Sequence, residues 1–327
     1  MEMRFLTLED RPLLERLLRE NPYKEIQVAF QRLDPEKTVQ FHADRILRQA
    51  TGPDSPVWVC QAGNRTGILG IQPSETHSQF FGFSIFSIEP ILTYNLRTPD
   101  KEEALQRVGD VLEAKGARLV WARCDENEGD LNHCLVQVGG EYCGATVRLS
   151  RWLSASPRPE GSPNFRVRAV QDEDRPALRD LARANHTHSH FLRDPNLPRE
   201  RKPDVFPAYL DRCFGHKNRP FLVAEDSSGK VVGFSLLLCP EGQEQRLGQT
   251  IGIVDFIAVD ESAQGKGVGA GLLAESFDLM ERQGYRLVEL KTMLDNVKGI
   301  QFYQKYGFRM LSAELHFSIG GRSGRWP

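Results

Sequence analysis

The chain predicts an α+β fold, namely two tandem mixed-sheet domains flanked by helices, the first of them degenerate. A faint internal duplication is the first sign. Glu9-Asp10-Arg11-Pro12 recurs as Glu173-Asp174-Arg175-Pro176, and Gly116-Ala117-Arg118-Leu119-Val120 as Gly284-Tyr285-Arg286-Leu287-Val288, in the same order and at nearly one offset. Between the copies, the Pro- and Ser-rich stretch from Ser154 to Pro163 blocks continuation of helix or sheet. In the second copy, three strands arrive with no helix between them before a strand–helix–strand run begins. A length of 327 residues fits two domains, assigned to residues 1–150 and 165–327 with a linker at 151–164.

Each element of the second copy has its own signature. Phe165 to Val170 alternates as a strand, and Asp172 or Asp174 opens a helix with Pro176 in its first turn, where a missing N–H costs nothing. A helix over Asp204 to Cys213 follows. Pro220 to Glu225 and Val231 to Leu238 read as strands joined by the Asp226-Ser227-Ser228-Gly229 turn, and Thr250 to Val259 as a third. A helix from about Lys266 to Gln283 carries Leu272, Leu273, Phe277 and Met280 on a buried side. The strand Arg286 to Lys291, a helix from Asn296 to Tyr306 and a strand near Glu314 to Ile319 complete the run.

Composition narrows the function classes. With 42 Lys+Arg against 44 Asp+Glu, the net charge of −2 supplies no cationic footprint for nucleic acid. No apolar run reaches the ~18 residues of a membrane span, and the N-terminus lacks the basic-then-apolar layout of a signal peptide, so no membrane partner and a cytoplasmic location are expected. The 6 cysteines form no C-x-x-C pair, which leaves neither a disulfide framework nor a zinc knuckle its spacing.

The third strand runs into Gln264-Gly265-Lys266-Gly267-Val268-Gly269, which opens a helix. Glycines let main-chain N–H groups converge, and a helix N-terminus adds about half a positive charge, so this turn suits a phosphate-bearing ligand. A Walker loop needs Ser or Thr after Gly-Lys; here Gly267 follows Lys266, which removes ATP hydrolysis. Gly265-x-Gly267-x-x-Ala270, with Glu289 as ribose acid, also satisfies the dinucleotide fingerprint, so the pattern alone does not exclude NAD. Its position after the third of three consecutive strands argues against that reading.

These residues resemble the Gcn5-related N-acetyltransferase (GNAT) family, whose acetyl-CoA pyrophosphate loop reads Q/R-x-x-G-x-G/A; Gln264-x-x-Gly267-x-Gly269 matches it in full. The family's downstream Asn, Tyr and Gly-Phe look like Asn296, Tyr303 and Gly307-Phe308. The segment from Asn185 to Asp194 is similar to the His-Ser-Arg-Phe…Asp segment of the dTDP-fucosamine N-acetyltransferases, with His190 in place of the Arg, and Phe80-Phe81-Gly82 is similar to their Phe-Phe-Gly. The resemblance implies that the tandem domains are GNAT-like and that acetyl-CoA is the co-substrate.

Period-2 alternation puts Asp255, Ile257 and Val259 on one face, and the resemblance turns that face toward substrate. Asp255 is therefore the candidate general base, directly or through a water, since burial among apolar neighbours would suit a carboxylate to work near neutrality. A half-exposed Asp at a strand bend is the alternative. The resemblance places the Tyr303 phenol close to the CoA sulfur as general acid; packing with Phe302 and Tyr306 is the plainer role for that ring. Main-chain N–H groups around Ile257 and Val259 would bind pantetheine and the thioester oxygen. Gln264, Gly265, Lys266, Gly267, Val268 and Gly269 would hold the diphosphate, with Asn296 and Tyr303 completing the coenzyme site. His188, Ser189, Phe191 and Asp194 would line an acceptor pocket. His186, His188 and His190 alternate, yet no fourth ligand of suitable spacing accompanies them, and no metal is expected. Carried back to the first copy, the glycine turn falls on Leu96 to Lys101 and Tyr303 on Leu135, so that copy is expected to have lost CoA binding.

The function expected is direct transfer of acetyl, in a ternary complex, from acetyl-CoA to the primary amine of a small molecule, an amino sugar nucleotide foremost. A protein or peptide amine or an aminoglycoside fits the same coenzyme signature, and a non-catalytic acyl-CoA-binding module is the reading from a different class.

Overall fold

In the computed structural model, which describes residues 1–21, 25–185 and 187–320, both halves of the chain open with the same device. The Asp10 carboxylate accepts from Thr7 N at 2.9 Å and from the Arg4 guanidinium at 2.5 and 2.8 Å. Its counterpart Asp174 accepts from Gln171 N at 2.8 Å and from Arg168 at 2.7 and 3.0 Å. In each case a carboxylate satisfies a donor just before the first helix and ties it to an arginine of the first strand. The same bonds hold both carboxyls below the usual carboxylate range, Asp10 at about 2. The duplicated Glu-Asp-Arg-Pro signature is thus a duplicated local structure.

The chain runs through β1 (Glu2–Phe5), α1 (Arg11–Arg19), α2 (Glu25–Gln31), α3 (Pro35–Ala50), β2 (Val57–Ala62), β3 (Arg65–Pro73), α4 (Glu75–Phe81), β4 (Ile85–Leu92), α5 (Thr98–Ala114), β5 (Leu119–Asp125), α6 (Gly129–Gln137) and β6 (Glu141–Trp152). The second half follows with β7 (Arg166–Ala169), α7 (Arg175–Asn185), α8 (His190–Arg193), α9 (Val205–Cys213), β8 (Phe221–Glu225), β9 (Val231–Leu238), α10 (Gln243–Leu247), β10 (Ile251–Val259), α11 (Val268–Arg282), β11 (Leu287–Met293), α12 (Val297–Lys305) and β12 (Arg309–Gly320). Two compact units interleave along this chain. One takes Met1–Thr146, Arg193–Arg199 and the chain from Ser312 onward; the other takes Val147–Leu192 and Glu200–Leu311.

In the first unit β1 to β4 are successively antiparallel, β4 and β5 are parallel, and β12 lies antiparallel to β5 from Glu314 opposite Asp125 to Gly320 opposite Leu119. Leu105, Val108 and Leu112 of α5 pack on one face of this sheet, and Leu14, Leu17, Ile46 and Leu47 of α1 and α3 cover the other.

The second unit repeats the plan. Strands β7 to β10 are antiparallel, β10 and β11 are parallel, and the Val147–Trp152 part of β6 flanks β11. One face carries Leu178, Leu181 and Leu210 of α7 and α9; the other carries Val268 and Leu272 of α11. The expected inner side of α11 is correct, with Leu272, Leu273, Phe277 and Met280 fully buried. Gly252 lets that helix approach β10, because a Cβ there would stand 2.6 Å from Met280 Sδ.

A cut at the Pro/Ser stretch does not describe these units. The sixth strand of each sheet comes from the other half of the sequence, and residues 151–152, assigned to the linker, finish β6. The rest of the stretch lies packed on α11. Arg158 pairs with Asp278 and Glu281, a Cβ on Gly161 would stand 2.9 Å from Gly271 Cα, and Ser162 abuts Gly267.

Candidate active site

Strands β10 and β11 frame the site. Among the described residues they pair over Ile251–Ile253 and Leu287–Glu289 alone. Beyond that point β10 continues to Val259 and β11 to Met293 without bonding each other, which opens a wedge whose main-chain groups are left for a ligand. The glycine turn follows β10. Gln264 donates its side-chain amide to Val259 O at 3.1 Å, anchoring the turn to the strand end. Gly265 and Gly267 both take left-handed backbone, with φ of 74° and 89°, and Gly267 is the N-cap of α11. The first-turn amides of α11 lack intrahelical acceptors and sit at the positive pole of a 15-residue helix. The Val268 side chain is buried beside Leu222 and Leu272, and Lys266 is exposed.

The alternation expected for Asp255, Ile257 and Val259 fails. Val254 pairs with Leu237 and Phe256 with Leu236, so Asp255 is the extra residue of a β-bulge, and a bulge re-aims a side chain. Ile257 and Val259 pack toward α11. Asp255 instead meets α9, where its Oδ2 accepts from the Tyr209 hydroxyl and from Arg219 Nη1 at 2.5 Å. Nor is it buried among apolar groups, since its side chain is 26% exposed and paired with a guanidinium. The alternative of a half-exposed Asp at a distortion of the strand describes its setting. Both bonds fall on Oδ2, which leaves Oδ1 to a further partner. Burial and the neighbouring carboxylate push the Tyr209 phenol up.

Helix α12 carries Asn296 and Tyr303. Asn296 is its N-cap, accepting from Gly299 N at 3.1 Å and donating to Thr292 Oγ1 at 2.9 Å. Tyr303 is buried between Phe302 and Phe308, at ring separations of 5.2 and 5.5 Å, and burial pushes its phenol up. Among the described residues nothing hydrogen-bonds its hydroxyl, which leaves that O–H uncommitted. The adjoining Phe302 ring would meet a Cβ on Gly269 at 3.5 Å, so α12 packs against the first turn of α11.

The four residues expected to line an acceptor pocket each have their own partners. His188 is exposed, with Nδ1 at 3.1 Å from Asp295 Oδ2, one residue before the cap of α12. Ser189 is buried and accepts from Phe191 N at 3.1 Å, and Phe191 packs edge-on against Phe206. Asp194 belongs to the first unit, where its buried carboxylate accepts from Trp121 Nε1 at 2.8 Å and Ser318 Oγ at 2.7 Å. A carboxylate so engaged is a framework group. His186 lies outside the described residues, and among those described no cluster of His, Cys, Asp or Glu is placed to hold a metal ion. Sequence reasoning missed Tyr209 and Arg219, because no spacing rule links positions on α9, a loop and β10.

Residues 176–308 match the acetyltransferase (GNAT) family model. The chain is 27% identical over 210 residues to the spore coat polysaccharide biosynthesis protein SpsD of Bacillus subtilis, an overlap of 64% of this chain and 67% of that one. It is 30% identical over 225 residues to a mycothiol acetyltransferase of Renibacterium salmoninarum, covering 65% of this chain and 63% of the relative. Against another mycothiol acetyltransferase, from Sanguibacter keddieii, the match spans half of each chain at 35% identity. Among solved structures, a GCN5-related N-acetyltransferase from Sphaerobacter thermophilus superposes over 98% of this chain and 95% of its own with a TM-score of 0.67 at 18% identity. A tandem GNAT protein from the clavulanic acid biosynthesis pathway does so over 98% of each chain with a TM-score of 0.55 at 13% identity. No helix among the described residues is long and apolar enough to cross a membrane. The glycine turn, the wedge and the uncommitted phenol all lie inside the segment that matches the GNAT acetyltransferase family model, and the chain as a whole has the tandem GNAT fold.

Proposed function

We propose that this protein transfers acetyl from acetyl-CoA to the primary amine of a small molecule, with an amino sugar nucleotide as the acceptor class. The observation that carries the reading is the left-handed glycine turn at the N-terminus of α11, set where β10 leaves its pairing with β11. Its amides suit a diphosphate, and the unpaired edge of β10 around Ile257 and Val259 suits a pantetheine amide and the thioester oxygen. With the thioester carbonyl polarised there, a neutral amine attacks its carbon. The Oδ1 of Asp255 takes the amine proton, directly or through a water, while Arg219 and Tyr209 hold Oδ2. Tyr303 gives its phenolic proton to the departing thiolate. The first unit lacks the glycine turn and serves as framework.

Of the acceptor-side residues, His188 and Phe191 stay in the reading, as a polar group at the rim and an aromatic wall with Phe206. The name of the polysaccharide-biosynthesis relative supports a saccharide amine. The test is free-thiol release from acetyl-CoA with a panel of nucleotide amino sugars, aminoglycosides and peptides. Turnover with nucleotide amino sugars alone is the result expected. Turnover with peptides or aminoglycosides alone reassigns the acceptor, and tight coenzyme binding with no turnover on any amine leaves a non-catalytic acyl-CoA-binding module.

A further inference from the structure

Arg151 is the penultimate residue of β6, inside the stretch expected as a linker, and takes no part in the chemistry above. It is 0% exposed, yet among the described residues no carboxylate pairs with it. Its guanidinium donates instead to main-chain carbonyls, closely to those of Tyr306 and Ala155, at 3.0 Å to Pro157 O and at 3.1 Å to Trp152 O. It also lies 4.7 Å from the centre of the Phe277 ring. A buried cation without a carboxylate is costly, and it persists where dipoles converge on it. Tyr306 is the C-cap of α12, where helix carbonyls lack amide partners and the pole is negative. Phe277 sits on α11. One cation therefore joins the end of α12, three residues past Tyr303, to the helix that begins with the glycine turn.

We infer that Arg151 is a positioning residue for the Tyr303 hydroxyl, holding α12 against α11 through the Tyr306 carbonyl and the Phe277 ring. The inference rests on the proton-donor reading of Tyr303. A lysine keeps the charge but not the planar fork that serves several carbonyls at once, so the two side chains are not equivalent here.

The test compares kcat, KM for acetyl-CoA and thermal midpoint for Arg151→Lys, Arg151→Met, Tyr303→Phe and the double variants. Displacing a reacting group by about 1 Å costs roughly 10²-fold, so Arg151→Lys is expected to lower kcat about 10- to 100-fold with KM nearly unchanged. In the Tyr303→Phe background the same change should cost little more, because the group it positions is already gone. Full loss of both factors in the double variant would overturn the inference. If Tyr303→Phe alone retains wild-type kcat, the proton-donor reading falls and the inference with it, a result distinct from additivity. Should Arg151→Met fail to fold, Phe277→Leu removes the ring beneath the guanidinium and carries the same comparison.

Discussion

Tyr303 and Asp255 have opposite surroundings, and that difference decides what each can do. Tyr303 is enclosed by aromatic rings with its hydroxyl uncommitted, and burial raises its phenol. A proton donor must be protonated to act, and a raised phenol keeps its proton to higher pH. The kcat profile should therefore show no loss from this group until above the ordinary phenol value of about 10. Tyr303→Phe should slow transfer about 10²–10⁴-fold, measured as initial rate at saturating acetyl-CoA. Asp255→Asn should lower kcat by about 10²-fold at neutral pH with the coenzyme KM unaffected; an unchanged kcat would remove Asp255 from the chemistry. In the first unit, Asp10 provides a pH test of the fold. Its folded value of about 2 against an ordinary 3.8 means that its pairing stabilises fully above about pH 4 and is lost as the pH falls through about 2. Because Arg4 is half exposed, Asp10→Asn should cost about 1 kcal/mol at pH 7, with the gap from wild type closing in urea titrations near pH 2. Tyr303 and Asp255 could be named as candidates from the sequence; the direction of the Asp255 side chain could not be read, since a bulge leaves no trace in a period-2 pattern.

Among the elements, the glycine turn is the part that local chemistry specified most fully. Residues 264–269 could be singled out because glycines ahead of a helix let main-chain N–H groups converge, and the structure has left-handed backbone there at Gly265 and Gly267. A side chain at such φ costs about 1–2 kcal/mol, and at Gly267 its Cβ would also stand 3.0 Å from Ser162 Cβ. Gly267→Ala should therefore raise the KM for acetyl-CoA about tenfold, with a smaller effect on kcat, in steady-state assays. The strands and longer helices of the second half were legible to within a few residues because each buries one face, while the short α8 and α10 were not; Asn296, read as a coenzyme ligand, also caps α12. Packing across the sequence was not legible. Nothing local marks Arg151 as the cation at the end of α12, because its partners are main-chain carbonyls that carry no side-chain signature.

For the whole molecule, the two copies exchange their final strands, so neither half of the sequence contains a complete sheet. Cutting at the Pro/Ser stretch would strip the Val147–Trp152 strand from beside β11, along with the Ser150 bond to Val288 O at 3.0 Å. Residues 165–327 expressed alone are expected not to unfold cooperatively in urea, and a sharp transition would show that the exchange is dispensable. Where the second unit has its glycine turn, the first has Lys101 in the opening turn of α5. Lys101 is buried against Asp130 at 2.7 Å and Glu128 at 3.5 Å, and Glu128 is bonded in turn to Thr93 at 2.8 Å. A buried Lys101 in place of the glycines is the ground for expecting no diphosphate site in the first unit. Calorimetric titration of the intact protein with acetyl-CoA, with NAD as the parallel ligand, is the decisive measurement. Saturation at one acetyl-CoA per chain, weakened by Gly267→Ala and with no heat from NAD, is the expected result; binding of NAD without binding of acetyl-CoA would contradict the assignment of the turn.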